Sequence, residues 1–113
     1  MKYKDGVYTY VRKIVNGIEE TLILCPEMEV AKVIVDDISQ SMFNIEGTIT
    51  AIFDGKHMSG SKHYTGEAFD IRIKYYPKEK VKAFVDALKL NLGDDYDVVL
   101  HEGSHIHIEY DPK

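Results

Sequence analysis

Ala68-Phe69-Asp70-Ile71-Arg72-Ile73-Lys74 and His105-Ile106-His107-Ile108-Glu109-Tyr110 are the two stretches that decide the fold. Successive side chains of a strand point to opposite faces, so every second residue shares a surface. The first stretch then sets Phe69, Ile71 and Ile73 on one face and Ala68, Asp70, Arg72 and Lys74 on the other. The second sets Ile106, Ile108 and Tyr110 together, opposite His105, His107 and Glu109. With both apolar sets turned to a core, a carboxylate and imidazoles emerge on the far side of the same sheet.

Around these stretches the pattern predicts strands at Thr48–Phe53, Ala68–Tyr75, Tyr96–Leu100 and His105–Tyr110, each bounded by Gly, Asp or Pro. A helix is expected from about residue 26 to 41, where Pro26 suits a first helical position and Glu27 and Glu29 favour the positive end of its dipole. Val30, Ala31, Ile34, Ile38 and Met42 recur along it at helical spacing. Pro77 opens a second helix whose stripe is Val81, Phe84, Val85, Leu88 and Leu92, and Gly93 stops it. Ahead of both, Val7 to Leu24 is rich in Tyr, Val and Ile, and Asn16-Gly17 suits the tight turn of a hairpin. The class is α+β: a small, mainly antiparallel sheet with two helices packed on one face.

The chain has 113 residues, 44% hydrophobic and 29% charged, which fits one domain with an ordinary core. Fourteen Lys and Arg against nineteen Asp and Glu leave a net charge of -5. Nucleic acid is therefore an unexpected partner, because the attraction to a phosphate backbone is missing overall. No apolar run approaches the roughly 20 residues of a spanning helix, so membrane insertion is not expected. The first residues do not read as a secretory signal, which suggests synthesis in the cytoplasm. Cys25 is the only cysteine, which excludes an internal disulfide and a cysteine-based zinc knuckle.

Any metal must then be held by His, Asp and Glu. Ser61-Lys62-His63-Tyr64-Thr65-Gly66-Glu67 leads into the Asp70 strand and brings another imidazole through a turn that Gly66 allows. Two His and one carboxylate form a ligand set that zinc uses in hydrolytic sites, with a fourth position left for water. The same set describes non-haem iron oxygenases, but those space a His and the carboxylate two residues apart, against seven here.

Ser61, His63, Gly66, Ala68 and Asp70 match in full the pattern S-x-H-x-x-G-x-A-x-D. That segment resembles the first signature of the zinc D-alanyl-D-alanine peptidases and L-alanyl-D-glutamate endopeptidases of the M15 type. His105-Ile106-His107 resembles their second signature, H-x-H. The resemblance covers about Thr48 to the C-terminus and implies the small fold shared with the zinc domain of hedgehog signalling proteins. It implies one zinc ion held by His63, Asp70 and, usually, the second His of H-x-H, here His107. His105 is the alternative ligand, since Glu102-Gly103-Ser104-His105 also resembles an E-x-x-H spacing; if His107 binds, His105 becomes a stabiliser of the oxyanion.

Glu102 is the expected general base, with Glu109 as a competitor on the histidine face, and Ser61 a supporting hydrogen-bonder near the substrate. The implied substrate is a peptide of bacterial peptidoglycan, cut beside a D-residue or between L-Ala and D-Glu. Many relatives hold a substrate carboxylate with an Arg upstream of the first motif; this chain has none there and offers Lys56, His57 or Arg72 instead. Phage-type lysis enzymes are one setting in which such a chain would reach the wall. Hedgehog resemblance also permits a zinc-bearing domain that binds a partner without turnover.

Overall fold

The computed structural model describes residues 1–54 and 60–113. Strand β1 (Lys2–Tyr3) is followed by β2 (Tyr10–Val15) and β3 (Ile18–Ile23), helix α1 (Pro26–Phe43), β4 (Thr48–Ala51), β5 (Ala68–Arg72), helix α2 (Val81–Leu92), β6 (Tyr96–His101) and β7 (His105–Tyr110). Short 3-10 turns at Lys62–Thr65 and Lys78–Lys80 precede β5 and α2. The architecture is α+β: a five-stranded sheet in the order β1-β4-β5-β7-β6, two helices, and a separate β2-β3 hairpin.

The sheet is mixed, because β1 runs parallel to β4 while the other pairings are antiparallel. Two residues are too short to carry an alternation pattern, and the pairing rests on backbone bonds from Lys2 to Gly47 (2.8 Å) and from Lys4 to Ile49 (2.8 Å). The expected hairpin is present: Val15 pairs with Ile18, and Asn16 and Gly17 both take positive φ, as a two-residue turn of this hand requires.

The strand expected to run to Phe53 ends at Ala51, where a register shift lies between Ile49 and Ala51. Asp54 then secures the turn, accepting from Ile52 N (3.1 Å) and Tyr8 N (2.8 Å). Likewise β5 stops at Arg72, since Lys74 and Tyr75 are exposed beyond it. Pro77 lies one 3-10 turn ahead of α2 and does not open it directly. The stripe of α2 is as expected, with Val81, Phe84, Val85, Leu88 and Leu92 all buried.

On α1 the buried face is rotated from the expected stripe. Met28, Ala31, Val35 and Ser39 face inward, while Val30, Val33 and Met42 are exposed. The polar member at a core position hides the true stripe from a count of apolar residues. Ser39 is satisfied there by the Ile45 carbonyl (2.5 Å) and the Tyr76 hydroxyl (2.7 Å), so its burial carries no orphaned hydroxyl.

Phe69, Ile71, Ile106, Ile108 and Val98 meet this helical layer in one contiguous core. Each large side chain fully buried there stabilises the fold by about 1.5–3 kcal/mol. Burying that face fixes register, and register sends Asp70 and His107, which are direct cross-strand partners, to the other face. None of the described helices is long and apolar enough to cross a membrane.

Candidate metal centre

Three elements deliver the side chains. Asp70 comes from the middle of β5 and His107 from the middle of β7, paired across the sheet. His63 comes from the 3-10 turn, whose start is capped by Ser61 Oγ accepting from His63 N (3.2 Å). Gly66 ends that turn at φ 74, a left-handed conformation that suits glycine.

The ligand atoms converge closely. His63 Nε2 lies 3.1 Å from Asp70 Oδ1 and 3.1 Å from His107 Nδ1, and His107 Nδ1 lies 3.0 Å from Asp70 Oδ1. Zinc bonds of about 2.0–2.1 Å place tetrahedral corners about 3.3 Å apart, so the triangle fits a single small cation with only a slight opening.

The outer hydrogen bonds fix which nitrogen faces inward. His63 Nδ1 donates to the Ile52 carbonyl (2.7 Å), and His107 Nε2 donates to Glu109 Oε1 (2.8 Å). Neither acceptor has a proton to give back, so in the neutral imidazoles both inward nitrogens carry lone pairs. Two lone pairs and a carboxylate oxygen within 3.1 Å of one another repel unless a cation joins them. That cation is a proton or a metal, and the residues fit a metal.

In the metal-free protein the proton takes this place. Burial favours neutral Asp70, but hydrogen bonds with His107 and His63 outweigh it and hold the carboxyl well below its usual range. Burial likewise opposes charge on His107, yet Asp70 and Glu109 lift its pKa above the ordinary value. Zinc must displace that proton, so zinc-induced stabilisation should grow between about pH 5 and pH 8.

The metal-free cluster behaves in the opposite sense at neutrality. The raised His107 value contributes stability below the unfolded-state pKa of about 6.5, and this is lost as pH climbs through the folded value. The depressed Asp70 value contributes above about 3.9 and is lost as pH falls toward the folded value. Thermal melts with and without zinc across this range check the sign. A gap that does not change with pH would contradict it.

Side-chain exposure rises from 2% at His63 to 9% at Asp70, 15% at His107 and 29% at His105, so the cluster opens to solvent on the His107 and His105 side. His105 is outside the triangle. Its Nε2 stands 3.6 Å from the other Asp70 oxygen, Oδ2, and its Nδ1 is 2.7 Å from Ser104 Oγ. Burial, reinforced by the imidazoles of His101, His107 and His63 and only partly offset by Asp70, lowers the His105 pKa.

Not every expected site residue joins the cluster. Glu102 is exposed in the β6-β7 turn, and no hydrogen bond or ion pair links it to the cluster among the described residues. Glu109, the expected competitor as base, instead orients His107. Arg72 shares the Asp70 face and pairs in register with His105, with Nη1 3.5 Å from the Tyr75 hydroxyl. Ser61 is engaged by the backbone it caps. Lys56 and His57 lie outside the described residues.

Two contributors have weak or no sequence signals. The Ile52 carbonyl has none, since any residue there supplies one. His101, read from sequence as an ordinary strand-end residue, stacks on His105 with centroids 4.5 Å apart; its cross-strand pairing with His105 follows from the hairpin register. A scan against protein-family models and a search of curated proteins found no match.

Proposed function

We propose that the chain is a zinc-dependent peptidase of the D-alanyl-D-alanine or L-alanyl-D-glutamate kind, with the fold those enzymes share with hedgehog zinc domains. Its substrate would be a stem peptide of bacterial peptidoglycan. The observation that carries this reading is the triangle of His63, Asp70 and His107 ligand atoms with 3.0–3.1 Å edges, open to solvent on one side. A bound zinc ion supplies a Lewis acid for a carbonyl oxygen and makes water nucleophilic near neutral pH.

The chain's own residues do the remainder. Asp70 contributes negative charge to the centre and Glu109 holds the His107 ring in position. His105, kept neutral by its lowered pKa and set beside the open side, takes a proton from an attacking water and returns it to the leaving amine. Arg72, across the strand pair from His105, provides positive charge for a substrate carboxylate. Glu102 has a lesser share, as its turn sets it apart from the cluster.

Incubating the zinc-loaded protein with defined muropeptides and identifying products by mass tests the reading. Cleavage at D-Ala-D-Ala or L-Ala-D-Glu is expected. His105→Ala should lower kcat by about 10²–10⁴-fold with zinc retained, while Glu102→Gln should cost under about tenfold. Zinc binding with no cleavage of either bond would favour the partner-binding alternative. The reverse order of the two variants would return the base to Glu102.

A further inference from the structure

In the order β1-β4-β5-β7-β6 the two outer strands are unequal: β1 has two residues and β6 has six. A long edge strand presents a row of backbone donors and acceptors, which proteins commonly blunt with lysine, proline or a bulge. β6 contains neither residue type, and its register against β7 is unbroken. A groove of about 550 Å³ runs along it, lined by Tyr96, Asp97, Val98 and Val99 and, from α2, Lys89.

The phase of the pairing decides which groups point outward. Asp111 N donates to Asp95 O (2.8 Å), and hydrogen-bonded pairs recur at every second position of an antiparallel ladder. Asp97, Val99 and His101 therefore turn their backbone groups to β7, while Tyr96, Val98 and Leu100 turn theirs to the edge. Tyr96 N is already engaged, donating to Gly93 O (3.3 Å). Among the described residues, the N–H and C=O of Val98 and Leu100 have no hydrogen-bond partner.

We propose that β6 pairs with β6 of a second copy of this chain, antiparallel, about a twofold axis at Val99. That register sets Val98 against Leu100 of the second copy and Leu100 against its Val98, so all four open groups of each copy are satisfied. A twofold axis at Val98 instead calls on Tyr96, whose N–H is taken. The side chains favour the same register. Val98 meets Leu100 on the helix side; on the other side Val99 meets Val99 as a non-hydrogen-bonded pair, the closer kind, and Asp97 meets His101. Val99 is 45% exposed in the single chain, an apolar group that the pairing covers.

The pairing is independent of the peptidase reading, yet it fixes where two metal centres stand. A twofold axis perpendicular to the sheet keeps both polar faces on one side. Val99 is the cross-strand partner of His107, so the row from His107 through the two Val99 residues to His107 of the second copy crosses three strand spacings, about 14 Å. The contact is small for a protein interface, which places its Kd at about 10–1,000 μM.

Sedimentation equilibrium of the full chain over that concentration range tests the pairing: the average mass should rise from the 12.9 kDa of one chain toward twice that value. Val99→Lys sets two like charges directly opposite each other and should weaken association by at least about tenfold, with thermal melts to establish folding. The register has its own check, which holds even if that variant unfolds. In a Cys25→Ser background with oxidised glutathione, Val99→Cys should cross-link into a dimer, because paired Cα atoms about 4.5 Å apart suit a disulfide. His101→Cys should cross-link at least about tenfold more slowly, since its two copies lie four residues, about 14 Å, apart along the strands. A single chain mass at every concentration, an undiminished dimer in folded Val99→Lys, or equal cross-linking of the two cysteine variants would each overturn the inference.

Discussion

Asp70→Ala should lose stoichiometric zinc binding while the protein stays folded. If a structural zinc site is worth about 10–16 kcal/mol over four ligands, one ligand carries about a quarter, which is about 10²–10³-fold in affinity. Asp70 has no substitute within the triangle: its Oδ1 touches both inward nitrogens, and Glu109 is committed to the outer side of His107. Glu109→Ala should therefore do less, about 10–100-fold, by letting the His107 ring turn. Calorimetric zinc titration of both variants, with melts in chelator to establish folding, separates the two effects. Undiminished zinc affinity in Asp70→Ala would remove that carboxylate from the ligand set.

Gly66→Ala should destabilise the protein by about 3 kcal/mol, lowering Tm by about 10–15 °C, and should weaken zinc binding as well. Two causes add. Gly66 has φ 74, which costs an L-residue about 1–2 kcal/mol, and a methyl group there would collide with the Ile23 carbonyl oxygen at the end of β3. Relief requires parting the hairpin from the turn that carries His63, because Cys25 N donates to Gly66 O (2.9 Å) at the same junction. Gly17→Ala is the control: its φ is 77 but nothing lies within 4 Å of an added methyl, so only the backbone cost of about 1–2 kcal/mol applies. Equal losses for the two variants would show that the junction yields without cost.

The difference between these glycines also marks what sequence alone can carry. The period of two in β5 and β7 made the sheet faces legible, and with them the shared surface of Asp70 and His107. Asn16-Gly17 fixed a hairpin because the turn needs positive φ at both positions. The stripe of α2 was legible since its core positions are all apolar. The stripe of α1 was not, because Ser39 occupies a core position and is satisfied by partners distant in sequence. β1 is too short for any periodicity and exists through its pairing to β4.

At the site, strand alternation put Asp70 and His107 on one face, while the choice of His63, Asp70 and His107 as a ligand set came from the resemblance to the M15 signatures; the structure brings these three together as a group that could hold a metal ion. Of the two strand histidines, His107 meets both His63 and Asp70 Oδ1 at 3.0–3.1 Å, whereas His105 reaches only Asp70 Oδ2, at 3.6 Å, distances that no sequence pattern carries. For Glu102 the resemblance suggested a base because it precedes the H-x-H strand; the structure places it exposed in the β6-β7 turn, with no hydrogen bond or ion pair to the cluster among the described residues.

Anomalous diffraction at the zinc edge, from crystals of the protein loaded with one equivalent of zinc, tests the centre most directly. The expected result is a single strong peak about 2.0–2.1 Å from His63 Nε2, Asp70 Oδ1 and His107 Nδ1. No peak there, or a peak only among the carboxylates of Asp97, Glu109 and Asp111, would contradict it.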